Sequence, residues 1–65
     1  MLIGERIKSI RESKGISRYR LSKNTKIPYT TLTDVESGKV KDINSKNLIL
    51  VSQALSVPVT ELLEV

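Results

Sequence analysis

A chain of 65 residues has room for one small core, burying only about 60% of the surface its unfolded form exposes. It has no cysteine and no histidine, which excludes a disulfide framework and a Cys-based zinc site and removes the commonest general base and metal ligand. Net charge is +4 and unevenly spread: residues 1–41 carry ten Lys/Arg against four acids, and residues 42–65 one Lys against three acids, so the front of the chain is either a surface facing a polyanion or a plainly solvated basic face. The longest strictly apolar run, Leu48 to Val51, is far short of the roughly 20 residues of a membrane span. Glu5, Arg6 and Lys8 interrupt any signal-peptide core. One intracellular domain spanning 1–65 is the expectation, and a start at Met1 favours a whole gene product.

Taken in order, Ile3, Ile7 and Ile10 fall at i, i+4 and i+7, one face of an amphipathic helix. Gly15 is its natural stop, with Lys14 near the negative end of the dipole. Ser17 is placed to cap a second, short helix with Leu21 as its apolar anchor and Ile16 just outside as a staple. Pro28 holds Ile27 extended and opens a third helix over Pro28–Ser37. In that helix Leu32 and Val35 face inward with Thr31, while Tyr29, Thr30, Thr33, Asp34 and Ser37 lie opposite. Gly38 ends it at a position suited to positive φ.

A polar loop, Lys39 to Ile43, leads to Asn44 or Ser45, either of which caps a fourth helix running to about Leu55. Leu48, Val51 and Leu55 form its inner stripe. Ile49, Leu50 and Ala54 make it apolar almost all round, a pattern of burial on several sides. Pro58 opens a last short helix with Glu61 in its first turn. Five helices and no strand follow, with a helix–turn–helix between Ser17 and Gly38 that holds one helix out for a DNA groove.

The order Ile16-Ser17, Leu21, Ile27 to Leu32, Val35 to Lys39, then Leu48, Val51, Ala54-Leu55 and Glu61 to Leu63 resembles the phage-repressor (Cro-type, XRE) helix-turn-helix family. The likeness covers about Glu5 to Leu63. It implies an all-α, compact five-helix, lambda-repressor-like DNA-binding domain whose helix-turn-helix is formed by helices 2 and 3. It further implies a sequence-specific regulator of transcription, a repressor, in a bacterial or phage cytoplasm at the nucleoid. Double-stranded DNA is then the partner, bound as a homodimer, with no cofactor, metal, membrane or small-molecule ligand expected.

By the same resemblance Tyr29, Thr30, Thr33 and Asp34 match positions facing the major groove. Ser17, Arg18, Thr31, Ser37, Lys39 and Lys41 match phosphate contacts, and Arg11 with Glu36 matches a structural ion pair. A phenol at Tyr29 can reach a phosphate or a thymine methyl, or simply pack on the surface. Thr30 and Thr33 are short enough for base edges or thymine methyls, and Asp34 can accept from a cytosine amine. Lys8, Lys14 and Lys23 read as solubilising charges, and Arg20 has no assigned role.

Val59, Leu63 and Val65 either close the core or form a self-complementary dimer patch. Four residues depart from the family's usual pattern. Lys26 replaces a turn glycine, so that either it accepts positive φ at about 1–2 kcal/mol or the turn differs. Thr25 replaces an aliphatic, Arg20 a capping-box acid and Pro28 a Ser/Thr cap.

Two other classes of function compete. An antitoxin or adaptor would use the same fold chiefly to bind a protein partner. An enzyme is poorly served by a chain with no His, no Cys and no clustered carboxylates.

Overall fold

The computed structural model describes residues 3–40 and 43–63 and contains five helices: α1 (Ile3–Ser13), α2 (Arg18–Thr25), α3 (Tyr29–Ser37), α4 (Ser45–Leu55) and α5 (Val59–Leu63). The architecture is all-α. No strand occurs among the described residues. Among the described residues nine buried apolar side chains form the core, and every helix supplies at least one: Ile7 from α1, Leu21 from α2, Leu32 and Val35 from α3, Leu48, Val51 and Leu55 from α4, and Leu62 from α5, with Ile27 from the turn. Among the helix pairs, α1 packs on α3, α2 on both α3 and α4, and α5 closes against α1 and α4.

The helix ends follow local chemistry. Ser17 caps α2, its hydroxyl accepting from the Arg20 N–H at 3.0 Å. Asn44 rather than Ser45 caps α4, accepting from the Asn47 N–H at 2.8 Å. Gly15 and Gly38 take φ of +70° and +85°, the left-handed backbone that glycine adopts without a Cβ penalty. Pro28 is extended (ψ 140°) and stands just outside α3, whose first helical residue is Tyr29. Its carbonyl accepts the Leu32 N–H at 3.1 Å, so the proline supplies an acceptor where it has no donor to lose.

Two expectations shift. The inward face of α1 is Gly4, Ile7 and Arg11, with Ile3 and Ile10 only partly buried. The helix is turned because α3 lies against Gly4 so closely that a Cβ there would overlap the Val35 carbonyl, and because Arg11 is drawn in by Glu36. The second shift concerns α4. Leu48, Val51 and Leu55 are buried as expected, but Ile49 is 47% exposed and Leu50 and Ala54 are half-buried. Its neighbours α1, α2 and α5 leave Ile49 uncovered.

The turn between α2 and α3 settles the question raised by Lys26. That residue takes φ 62°, ψ 17°, with its N–H donating to the Ser22 carbonyl at 2.8 Å. The left-handed turn is therefore built without glycine, and side chains hold it on both sides. Ser22 Oγ donates to the Ile27 carbonyl at 2.7 Å; buried Thr25 Oγ1 donates to the Leu21 carbonyl at 2.7 Å and accepts from the Ile27 N–H at 3.3 Å. Thr25 thus fills an aliphatic position with a hydroxyl whose hydrogen bonds are made.

Two substitutions involving glycine have opposite expected signs. Gly4→Ala forces a methyl into the Val35 backbone and should lower stability by about 1–3 kcal/mol. Lys26→Gly relieves the left-handed penalty, offset partly by the freer unfolded chain, and should raise stability by about 0.5–1 kcal/mol. Urea unfolding of both variants beside the parent checks the pair.

Candidate nucleic-acid interface

The surface built by α2 and α3 starts from a buried carboxylate. Glu36, in the last turn of α3, has a side chain 1% exposed. Arg11 of α1 meets it with two parallel bonds, Nε to Oε2 and Nη2 to Oε1, both 2.9 Å. Fork-to-fork pairing of this kind is the strong geometry for a guanidinium and a carboxylate. The third nitrogen of Arg11, Nη1, donates to the Ile16 carbonyl at 2.8 Å, while the Ile16 N–H donates to the Arg11 carbonyl at 3.1 Å. Arg11 therefore fixes the α1–α2 connection as well as α3.

A second arginine shares the carboxylate. Arg18, in the first turn of α2, donates from Nε to Glu36 Oε1 at 3.1 Å and from Nη1 to Thr33 Oγ1 at 3.3 Å. Its guanidinium carbon lies 5.8 Å from the centre of the Tyr29 ring, within cation–π range. Partial burial works against its charge, but the Glu36 carboxylate, with a smaller contribution from Tyr29, more than compensates and holds its pKa above the ordinary arginine value. Nothing in the order Ser17-Arg18 signals this link, which joins residues 18 apart in the chain.

The residues expected to read bases lie together on α3. Tyr29 is 46% exposed and Thr30 is exposed at the N-terminal end, while Thr33 and Asp34 are partly buried one turn on. Thr33 Oγ1 donates to the Tyr29 carbonyl at 3.0 Å in addition to accepting from Arg18. Of the expected phosphate contacts, Ser17, Ser37 and Lys39 are exposed and Thr31 is half-buried. Ser37 Oγ donates to the Asp34 carbonyl and accepts from the Lys39 N–H, which shapes the loop after α3. Lys41 lies outside the described residues.

In α5, Val59 packs partly buried against the core and Leu63 is 54% exposed. Val65 lies outside the described residues. No helix among the described residues is long and apolar enough to cross a membrane, and no group of three His, Cys, Asp or Glu there could hold a metal.

An exposed α3 set against a capped α2 by a left-handed turn, with α1, α4 and α5 packed behind, is the architecture of a helix-turn-helix DNA-binding domain. The helix-turn-helix family model matches residues 7–62, and the chain belongs to that family, the XRE type of DNA-binding regulator, which is not a family of enzymes. It is similar to the master regulator for biofilm formation SinR, known from a crystal structure in complex with DNA: 32% identity, TM-score 0.93, covering 97% of this chain and 100% of that one. It is similar also to the N-terminal DNA-binding domain of SinR from Bacillus subtilis, at 32% identity and TM-score 0.91, covering 97% of this chain and 91% of that one. No curated protein sequence matches the chain.

Removing the charge at Glu36 leaves two converging guanidiniums without their shared anion, and an amide there replaces one acceptor oxygen by a donor. Glu36→Gln is expected to cost about 3 kcal/mol, as breaking a buried pair does, a large share of the stability of a domain this size. Thermal melting beside the parent checks it, and a variant that melts with the parent would show that the pair is dispensable.

Proposed function

We propose that this chain is a sequence-specific regulator of transcription, a repressor, which binds double-stranded DNA by inserting α3 into the major groove of a palindromic operator, residues 1–65 working as one helix-turn-helix domain. The observation that carries this reading is the exposed N-terminal end of α3, with Tyr29 and Thr30 outward and Arg18 against the Tyr29 ring, on a fold nearly superposable on SinR, whose own structure is a DNA complex. In docking of this type the first turns of the second helix meet base edges and the first helix crosses the backbone.

In this reading Tyr29, Thr30, Thr33 and Asp34 face bases, and Ser17, Thr31, Ser37, Lys39 and Lys41 face phosphates. The phosphate contacts set affinity and its salt dependence; the base contacts set choice of sequence. The exposed Leu63 supports pairing of two copies, whose two-fold axis would set half-sites one helical turn, about 34 Å, apart. The same exposed leucine suits the competing reading, an antitoxin or adaptor that covers it with a protein partner.

Selection of random duplex DNA on the purified protein, at two salt concentrations, separates the two. The operator reading expects an enriched palindrome and an affinity that falls steeply with salt. Lys39→Ala should then weaken binding alike on all sequences and reduce the log–log salt slope by about one. Failure to enrich any sequence, or no binding at moderate salt, would leave the protein-partner reading in its place.

A further inference from the structure

Arg18 stands where a basic side chain at the start of α2 would be expected simply to meet a phosphate. Its bonds run elsewhere. Nε is tied to Glu36, a carboxylate buried to 1% exposure, and Nη1 to Thr33, while the guanidinium lies over the Tyr29 ring. The arginine side chain itself is only 26% exposed. Three of its neighbours are on α3, and two of them, Tyr29 and Thr33, belong to the surface proposed to read bases.

We propose that Arg18 is a positioning residue for that surface: anchored from behind by buried Glu36, its guanidinium sets the Thr33 hydroxyl and the Tyr29 ring, and through them the choice of base pairs. The proposal rests on the operator-binding reading and deepens it. Thr33 Oγ1 accepts from Arg18 and donates to the Tyr29 carbonyl, so its one hydroxyl proton is committed within the protein. What Thr33 has left for DNA is one hydroxyl lone pair and its methyl group, which fits the thymine C5-methyl; it has no proton left to donate to a base edge. Tyr29 is likewise steadied, its ring under a cation and its carbonyl held by Thr33. A side chain fixed before binding loses less entropy on contact than a free one, and a fixed face tells sequences apart better than a mobile one.

The test separates charge from shape. Arg18→Lys keeps the charge but has no planar fork to reach Glu36 and Thr33 together; Arg18→Met removes the charge. Melting is measured first. Each variant is then titrated with the sequence selected by the parent and with an unrelated duplex across a salt series. The expected result for Arg18→Lys is parental affinity and salt slope on the unrelated duplex, with preference for the selected sequence reduced about tenfold or more. Replacing thymine by uracil opposite Thr33 should weaken the parent several-fold and Arg18→Lys much less.

An Arg18→Lys variant equal to the parent on both duplexes, with Arg18→Met weaker on both alike and its slope shallower by about one, would make Arg18 an ordinary phosphate contact and overturn the proposal. Should Arg18→Lys fail to fold, Thr33→Val cuts the far end of the network while leaving Arg18 on Glu36. It is expected to lose the same preference, and its full retention would equally overturn the proposal. Side-chain NMR of the DNA-free parent adds a readout independent of any operator: one Tyr29 χ1 rotamer in the parent, averaging in Arg18→Lys. Averaging in the parent itself would be fatal to the proposal. A parent that enriches no sequence fails the operator reading instead, a result distinct from each of these.

Discussion

The structure depends on one buried carboxylate. Glu36 sits where three helices converge, and a negative charge with 1% exposure is tolerable only if cations meet it with good geometry. Arg11 supplies the bidentate fork from α1, and Arg18 brings a further bond from α2. Because Arg11 also holds the Ile16 carbonyl, the single acid locks α1, the α1–α2 connection and the end of α3 into one arrangement. A wholly apolar contact at this point could be as stable, but it would not fix the angle between α2 and α3 through directional bonds. The angle is what a groove-reading helix requires.

The second constraint is the turn. A left-handed residue between α2 and α3 lets the chain reverse within a few positions, and glycine is the residue that does so without strain. Here Lys26 takes that conformation, at a cost that neighbouring bonds offset. Ser22 clamps the Ile27 carbonyl and Thr25 receives the Ile27 N–H, so both backbone groups of Ile27, in the turn, have partners. Rigid support on both sides of the turn leaves α3 little freedom to tilt.

The core itself is thin, and its closeness at α1 and α3 follows from Gly4. Without a side chain there, α1 approaches the Val35 backbone and brings Arg11 within reach of Glu36. A residue with no side chain and a residue with a buried charge therefore act together. What remains outward is equally ordered: the N-terminal end of α3 carries Tyr29 and Thr30, α4 carries Ile49 and α5 carries Leu63.

The local elements were legible in the sequence because their signals are local. Ser17 as a cap, Gly15 and Gly38 as stops, Pro28 and Pro58 as openers and the Leu48, Val51, Leu55 stripe each depend on residues within a turn or two, and the five helices follow from them. The likeness of about Glu5 to Leu63 to a family supplied the kind of partner and the pairing of Arg11 with Glu36. Tertiary structure alone decided which face of α1 turns inward, since Gly4 and Arg11 are ordinary until α3 lies against them. It decided that α4 is left open at Ile49, and that Lys26 adopts a glycine's conformation. It decided, above all, that Arg18 bonds Glu36 and Thr33. Hydrophobic period and capping report on neighbours along the chain, whereas a guanidinium with several possible partners takes the one that folding brings within about 3 Å, and no spacing in the sequence encodes that distance.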